Sequence, residues 1–238
     1  MKAKKVSISA FFPVYNDWAT IPAMVLLVDS ALKRLASEYE IILVDDGSNE
    51  LTKKMLEELV PKFDKIKLIT HHKNRGYGGA LKSGIYSAKY DYIFYTDGDA
   101  QYNPQEIELL VDKLSDEIDI VNGYKIERND PLYRKIMGKI YVMITRMMFG
   151  FKIRDVDCDF RLMRRRLFDD LKLEFSSGVI CVEMISRLTM RGARFAEVPV
   201  NHYYRTSGKS QFFNFKRLFK TTINIFQLWR KVRILKKY

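Results

Sequence analysis

Two carboxylates stand one residue apart in Tyr92-Ile-Phe-Tyr-Thr-Asp97-Gly98-Asp99-Ala-Gln101, directly after a short apolar, aromatic run that reads as a buried strand. At i and i+2 beside a strand end, Asp97 and Asp99 can face the same way. Two hard oxygen ligands with open positions left over suit Mg²⁺ or Mn²⁺ holding a substrate diphosphate. Asp and Gly are also ordinary turn residues, so taken alone the same three residues read first as a solvated turn. Their neighbours decide between the two.

Around this stretch the chain repeats one pattern. Val6 to Phe12 is strand-like and ends in Pro13-Val-Tyr15-Asn16-Asp17. Ile21 to Leu35 has apolar residues at helical spacing, with Pro22 tolerated in the first turn. Glu40 to Val44 is a uniformly apolar strand, as expected when both faces are covered, and it ends in Asp45-Asp46-Gly47-Ser48. A helix over Leu51 to Val60 and a strand over Ile66 to Thr70 follow. The loop Asn74-Arg75-Gly76-Tyr77-Gly78-Gly79 then opens a helix running through Ala88. After the Tyr92 strand come a helix over Pro104 to Leu114 and a short strand over Asp119 to Gly123. Alternating β and α segments with short connections predict an α/β fold with a mostly parallel central sheet flanked by helices. Ligands of such sheets bind beyond the carboxyl ends of the strands, where Asn16/Asp17, Asp45/Asp46, Arg75/Gly76 and Asp97/Asp99 all fall.

Several classes are argued against. A dinucleotide-binding turn needs G-x-G-x-x-G after the first strand, where this chain has Pro13-Val-Tyr-Asn-Asp, and a P-loop is absent. The glycines at 76, 78 and 79 can present backbone N–H groups to a phosphate or base, or simply make a tight turn. Cys158 and Cys181 form no disulfide framework and no metal spacing, so a reducing, cytoplasmic setting is expected. The start of the chain lacks an apolar signal region, and no apolar run approaches the roughly 20 residues that span a bilayer. His71, His72 and His202 are expected to be surface or hydrogen-bonded histidines rather than ligands.

Beyond Gly123 the rhythm changes. Arg134 to Phe149 carries Ile136, Ile140, Ile144 and Met147 at helical spacing with basic residues between them, and reads as a core helix or an interfacial one. Arg154-Asp155-Val-Asp157-Cys-Asp159-Phe-Arg161-Leu-Met-Arg164 follows, then a helix beginning near Ser177 and a strand over Phe195 to Val200. The formal net charge is +12 over 238 residues, and ten Lys or Arg with no Asp or Glu lie between Arg205 and Tyr238. A nearly neutral body thus bears a basic tail, with nucleic acid and anionic lipid as candidate partners. Phe212, Phe213, Phe215, Leu218, Phe219, Ile223, Phe226, Trp229 and Val232 alternate there with Lys and Arg, the pattern of an interfacial segment.

Taken in order, P-V-Y-N-D, V-D-D-G-S, N-R-G-Y-G-G-A, D-G-D-A-Q, D-F-R-L-M-R and E-V-P-V-N-H-Y-Y-R-T-S-G-K-S resemble family-2 glycosyltransferases of the GT-A fold over nearly the whole chain. Within them the resemblance is to polyprenyl-phosphate hexosyltransferases of the dolichol-phosphate mannose or glucose synthase type. It implies a catalytic domain over 1–210, with a nucleotide-sugar half to about 125 and an acceptor half beyond it, and a membrane-interface tail over 211–238. The implied reaction is inverting transfer of a hexose from UDP-glucose, another UDP-hexose or GDP-mannose to a dolichyl or undecaprenyl phosphate. A different glycan, lipid or protein acceptor is the alternative, and a non-enzymatic membrane or nucleic-acid binder built on the basic tail is the more distant one.

The resemblance places Pro13, Tyr15, Asp17, Val44, Asp46, Arg75 and Gly76 around the nucleotide. It assigns Asp97, Gly98, Asp99 and Gln101 to the metal and diphosphate, with Asp97 and Asp99 as ligands of Mg²⁺ or Mn²⁺. Lys125 falls near the donor phosphates, and Arg205, Lys209 and Ser210 fall in a basic loop that closes over them. The register departs there, because this chain reads G-K-S-Q where mannose synthases read G-E-S-K. Asp159 occupies the position proposed as catalytic base in the glucosyl branch, so Asp97, Asp99 and Asp159 are the expected catalytic set. Arg161 and Arg164, with Ser210, are candidates for the acceptor phosphate, although Arg beside Asp is as often a structural ion pair. The implied partners are a nucleotide sugar, a polyprenyl phosphate and an anionic membrane surface or small integral membrane partner, with no nucleic acid. The implied location is peripheral, on the cytoplasmic face of a membrane.

Overall fold

The computed structural model describes residues 5–126, 132–205 and 215–236. Strand β1 (Val6–Val14) and helix α1 (Ile21–Leu35) are followed by β2 (Ala36–Asp45), α2 (Glu50–Leu59), β3 (Ile66–Thr70), α3 (Tyr77–Ser87) and β4 (Tyr92–Thr96). Then come α4 (Ile107–Asp112), β5 (Ile120–Lys125), α5 (Leu132–Phe149), β6 (Phe160–Arg164), α6 (Val179–Met190), β7 (Phe195–Val200) and α7 (Phe215–Trp229). Among the described residues the strands form one seven-stranded sheet in the order β3-β2-β1-β4-β6-β5-β7. The helix starts are legible locally. Asn49 caps α2 by accepting from the backbone N–H of Thr52 at 3.0 Å, and Pro22 occupies the first turn of α1.

Period-two alternation along β1 splits the core. Ile8, Ala10, Phe12 and Val14 join α1, α2 and α4 on one face, whereas Phe11 joins Ile42, Val44 and Tyr95 against α3 and α6 on the other. A third apolar cluster lies beyond α6. There Ile225, Leu228 and Val232 pack with Phe149, Phe151, Val179, Val182 and Ile185. Residues 215–236 are therefore seated on the body, and Lys231 adds an ion pair to Glu174, which also holds Arg187 at 2.6 Å. Of the tail's expected interfacial residues, Val232 is buried, while Ile223 and Phe226 stay exposed. Phe212 and Phe213 lie outside the described residues. Among the described residues, no helix is long and apolar enough to cross a membrane.

One element escaped the sequence pattern. The D-F-R-L-M-R segment forms β6, the antiparallel member of an otherwise parallel sheet, lying between β4 and β5. Its register pairs Thr96 with Phe160 and Tyr92 with Arg164. The end of β4 and the start of β6 thus meet, which sets Asp97 and Asp159 side by side at the carboxyl edge of the sheet. Arg164 is carried four residues away, roughly 13 Å at strand rise.

Candidate functional site

The turn after β4 is held from three sides. Thr20, at the start of α1, donates its hydroxyl to the Gly98 carbonyl at 2.6 Å. A Cβ on Gly98 would stand 2.6 Å from the end of the Ile21 side chain and 3.2 Å from the Pro13 carbonyl oxygen, so a larger residue would have to push both aside for the turn to lie this close to β1 and α1. Ala100 has a left-handed backbone (φ 60), a conformation that non-glycine residues hold only where the surroundings enforce it. The two carboxylates have different partners. Asp97 Oδ1 accepts from the Tyr77 hydroxyl at 2.8 Å. Asp99 Oδ1 accepts from the Gln101 backbone N–H at 3.1 Å, and its Oδ2 accepts from the Arg205 guanidinium, with Nε at 3.1 Å. Gln101 also exchanges hydrogen bonds with the Tyr203 backbone, which fixes the segment that delivers Arg205.

Negative charge is crowded here. Burial pushes the Asp97 carboxyl well above the usual carboxylate range; Asp159 and Asp99 add to the shift, and the Tyr77 hydrogen bond opposes it. Asp17, on the β1–α1 turn, is pushed up to about 6 by burial and by Asp99, against the Tyr15 N–H and Arg205. Such a cluster has a deficit of cations. The described residues contain no group of three or more His, Cys, Asp or Glu arranged to hold a metal by themselves. Two carboxylates fit a Mg²⁺ or Mn²⁺ ion that takes its remaining oxygens from a diphosphate, since Mg²⁺ is commonly bound through one or two carboxylates plus substrate phosphates.

The residues that the resemblance assigns to the nucleotide lie on the turns after β1 and β2 and the loop before α3. Asn16, itself left-handed (φ 64), receives the Asn49 N–H at 2.8 Å on its side-chain oxygen, and its own N–H donates to Ser48 Oγ at 3.1 Å. Asp46 Oδ1 accepts from the Arg75 backbone N–H at 2.8 Å and contacts His71 Nδ1 at 2.6 Å. An ionised carboxylate can only accept, so Nδ1 carries the proton there, and Nε2 meets Ser83 Oγ at 2.9 Å. Tyr15 and Arg75 are exposed at the rim. Val44 is corrected: its side chain is sealed with Phe11, Ile42 and Leu81 in the core, so it has no surface to offer a base. Pro13 is likewise buried and shapes the crevice through its backbone.

Gly76 has φ +80, and a Cβ there would meet the Ser176 carbonyl oxygen at 2.5 Å. Gly76→Ala is expected to cost roughly 1–3 kcal/mol of stability. It should also shift the loop that bears the Arg75 N–H, so a lowered melting temperature with weakened nucleotide binding is the outcome to look for by thermal shift and calorimetry.

On the other side of the turn, Asp159 Oδ1 accepts from the Tyr95 hydroxyl at 3.2 Å and lies 3.2 Å from Cys181 Sγ. Arg161 is corrected. It is fully buried, donating from Nε to Asn122 Oδ1 at 2.5 Å, from Nη1 to the Tyr95 hydroxyl and from Nη2 to the Val156 carbonyl, and Nη1 is 4.0 Å from Asp159. No part of it can reach an acceptor phosphate. Arg164 is corrected too, because the antiparallel register carries it to the far end of β4. There it binds the Ile118 and Ser115 carbonyls at 3.1 and 2.9 Å. Lys125 Nζ points to the segment before β6, 3.2 Å from the Asp157 carbonyl and 3.8 Å from Asp155 Oδ2. Lys209 and Ser210 lie outside the described residues.

Burial, then the nearby Asp155, push Asp157 up to about 7, with Lys125 opposing. A carboxyl whose folded pKa is raised stabilises the fold when protonated and loses that contribution as pH rises through the folded value. Asp157→Asn, which imitates the protonated form, is therefore expected to raise the melting temperature at pH 8 and, to a smaller extent, at pH 5, where the unfolded carboxyl has already ionised. Melts at the two values check it.

Tyr77, Tyr95, His71, Thr20 and Cys181 complete the site, and sequence reasoning had not singled them out for it. Tyr77 sits inside the glycine loop, the one local hint; the others are joined to the carboxylates only by sheet register and helix packing.

The sequence model of glycosyl transferase family 2 matches residues 9–172. Among solved structures, the chain is similar to glucosyl-3-phosphoglycerate synthase from Mycobacterium tuberculosis in its complex with Mn²⁺, UDP and glucosyl-3-phosphoglycerate. That match has a TM-score of 0.72 at 15% identity and covers 95% of this chain and 79% of that one. The complex of the same enzyme with Mn²⁺, UDP-glucose and phosphoglyceric acid matches with a TM-score of 0.70 at 16% identity, covering 95% and 79%. Its Mg²⁺–UDP complex matches with a TM-score of 0.70 at 14% identity over the same shares.

Proposed function

Since this chain belongs to glycosyl transferase family 2, we propose that it transfers a hexose, with inversion, from a nucleotide sugar to a polyprenyl phosphate at a membrane surface. The observation that supports the reading is the pairing of β4 with antiparallel β6, whose register sets Asp159 beside the Asp97–Asp99 turn at the carboxyl edge of the sheet. A donor diphosphate lies naturally against Asp97, Asp99 and Arg205, with the base toward Tyr15, Asp17 and the Asp46–Arg75 contact. A Mg²⁺ or Mn²⁺ ion held by Asp97 and Asp99 would neutralise charge on the departing diphosphate. Solved complexes of the similar synthase with Mn²⁺ or Mg²⁺ and UDP support this choice of cofactor, and its UDP-glucose complex supports a UDP-hexose.

A lipid phosphate is largely ionised near neutral pH, its second pKa lying at about 6. It attacks the anomeric carbon with little need of a base, so Asp159, held by Tyr95, orients the acceptor and stabilises the developing positive charge on the sugar. Attack from the face opposite the diphosphate gives a β-linked product from a D-gluco or D-manno donor. The basic tail with exposed Ile223 and Phe226 supports an acceptor that resides at an anionic membrane surface on the cytoplasmic face.

A second reading is favoured by the similar synthase, whose complexes contain phosphoglyceric acid: the acceptor is a small soluble phosphate. One experiment separates the two. Radiolabelled UDP-glucose, UDP-galactose and GDP-mannose are offered with undecaprenyl phosphate, with dolichyl phosphate and with phosphoglyceric acid. The proposal expects an acid-labile product that partitions into organic solvent with one donor. Label that stays aqueous with every donor overturns it. Flotation with liposomes containing anionic lipid and prenyl phosphate tests the membrane part, and protein left at the bottom of the gradient counts against it.

A further inference from the structure

A groove of about 760 Å³ opens between the end of β5 and α5, lined by Lys125, Ile126, Met143, Arg146, Met147 and Arg154 among others. Its volume falls within the roughly 300–1,000 Å³ of small-molecule sites. Along α5, Ile140, Met143, Ile144 and Met147 recur at i, i+3, i+4 and i+7, a stripe that a helix normally turns into the core. Here all four are exposed, Met147 by 78%. The core contact of α5 is made by other residues: Thr145 and Phe149 are buried, and Tyr141 and Met148 pack against the third cluster. The helix is thus apolar on two faces, and only one of them is used within the described fold.

The groove is also cationic. Arg146 is exposed between Met143 and Met147. Arg154 lies over the Tyr124 ring at 4.5 Å, with its side chain 65% exposed and Glu197 at 3.8 Å. Lys125 faces Asp155 and binds the carbonyl of Asp157, two residues before Asp159. Lys125 thus ties the groove to the segment that leads into Asp159.

We propose that this groove holds the phosphate-proximal isoprene units of the acceptor lipid, with Arg146 and Arg154 at its rim near the anionic headgroup and the outer stripe of α5 resting in the acyl boundary. The assignment deepens the polyprenyl-phosphate reading and rests on it. A single molecule with an anionic head and a branched apolar chain complements both halves of the groove. A second copy of this chain, with net charge +12, complements only the apolar half. Unbranched, polarisable methionines suit a chain of repeating methyl branches, because they adapt to irregular apolar shapes.

The test uses the full chain in vesicles with a benzophenone-bearing farnesyl phosphate and the double variant Met143→Glu/Met147→Glu. Both positions are exposed, so circular dichroism and melting temperature should match wild type. The label is expected in peptides covering 138–154. The double variant should raise the KM for undecaprenyl phosphate at least about tenfold, while the KM for the donor changes by less than about threefold. If wild type transfers sugar to prenyl phosphate but the label maps only elsewhere, or the variant keeps its KM, the groove assignment falls and the acceptor reading stands. If wild type neither transfers to prenyl phosphates nor takes up label, both fall.

Discussion

Asp97→Asn is expected to lower kcat on the order of a thousandfold while the melting temperature stays level or rises. The loss follows from the role: a charge that grows on the leaving diphosphate is no longer offset through this position, and removing one such electrostatic contact typically costs 10²–10³-fold or more. The gain in stability follows from the surroundings. Burial and the neighbouring Asp159 and Asp99 push the Asp97 carboxyl well above the usual range, so the ionised form is strained in the free protein. Asparagine keeps the shape, still accepts from the Tyr77 hydroxyl, and removes the repulsion. Asp99→Asn should match the loss of turnover without the same gain, because Asp99 is already paired with Arg205. Turnover within about tenfold of wild type in either variant would refute the assignment of the D-G-D turn.

The second large effect is on the fold. Arg161→Leu should destabilise by about 3–5 kcal/mol, the usual consequence of removing one member of a buried charged network. That corresponds to a drop of roughly 10 °C for a chain of this size. The guanidinium binds Asn122, Tyr95 and Val156 at once, and removing it leaves three buried polar groups without that donor. Arg161→Lys should recover little, because one ammonium on a flexible stem cannot reproduce three directed N–H bonds. Thermal unfolding decides this. A shift of under 3 °C for Arg161→Leu would mean that the network contributes far less than its geometry implies. The same variants should lose activity beyond their loss of folded protein, since Tyr95 links Arg161 to Asp159.

These two residues mark what could and could not be read from the chain. The parallel strands were legible from short apolar or alternating runs followed by polar residues: β3 and β7 fall on Ile66–Thr70 and Phe195–Val200, as their patterns predict. The D-G-D turn was legible because its neighbours are other strand ends of the same kind. Strand β6 was not, since an arginine at its second position reads as a loop residue. That residue becomes tolerable in a sealed sheet only through Asn122, Tyr95 and Val156, which lie 39, 66 and 5 positions away. Missing the strand also misplaced Arg164, whose position depends wholly on strand direction. In the tail, the basic and aromatic pattern was visible, but α6 and the end of α5 decide which of its apolar residues are already buried.

The contact between Arg205 and Asp99 carries a further consequence. In the free protein this guanidinium stands where a divalent ion would draw on the same carboxylate oxygen, so an ion arriving alone must displace a cation already in place. A nucleoside diphosphate offers Arg205 a new anionic partner and frees Asp99 at the same moment. The two ligands should therefore bind with positive thermodynamic coupling, each tightening the other by the same factor. The intramolecular ion pair then acts as a coincidence detector, reserving the divalent ion for protein that also holds its donor.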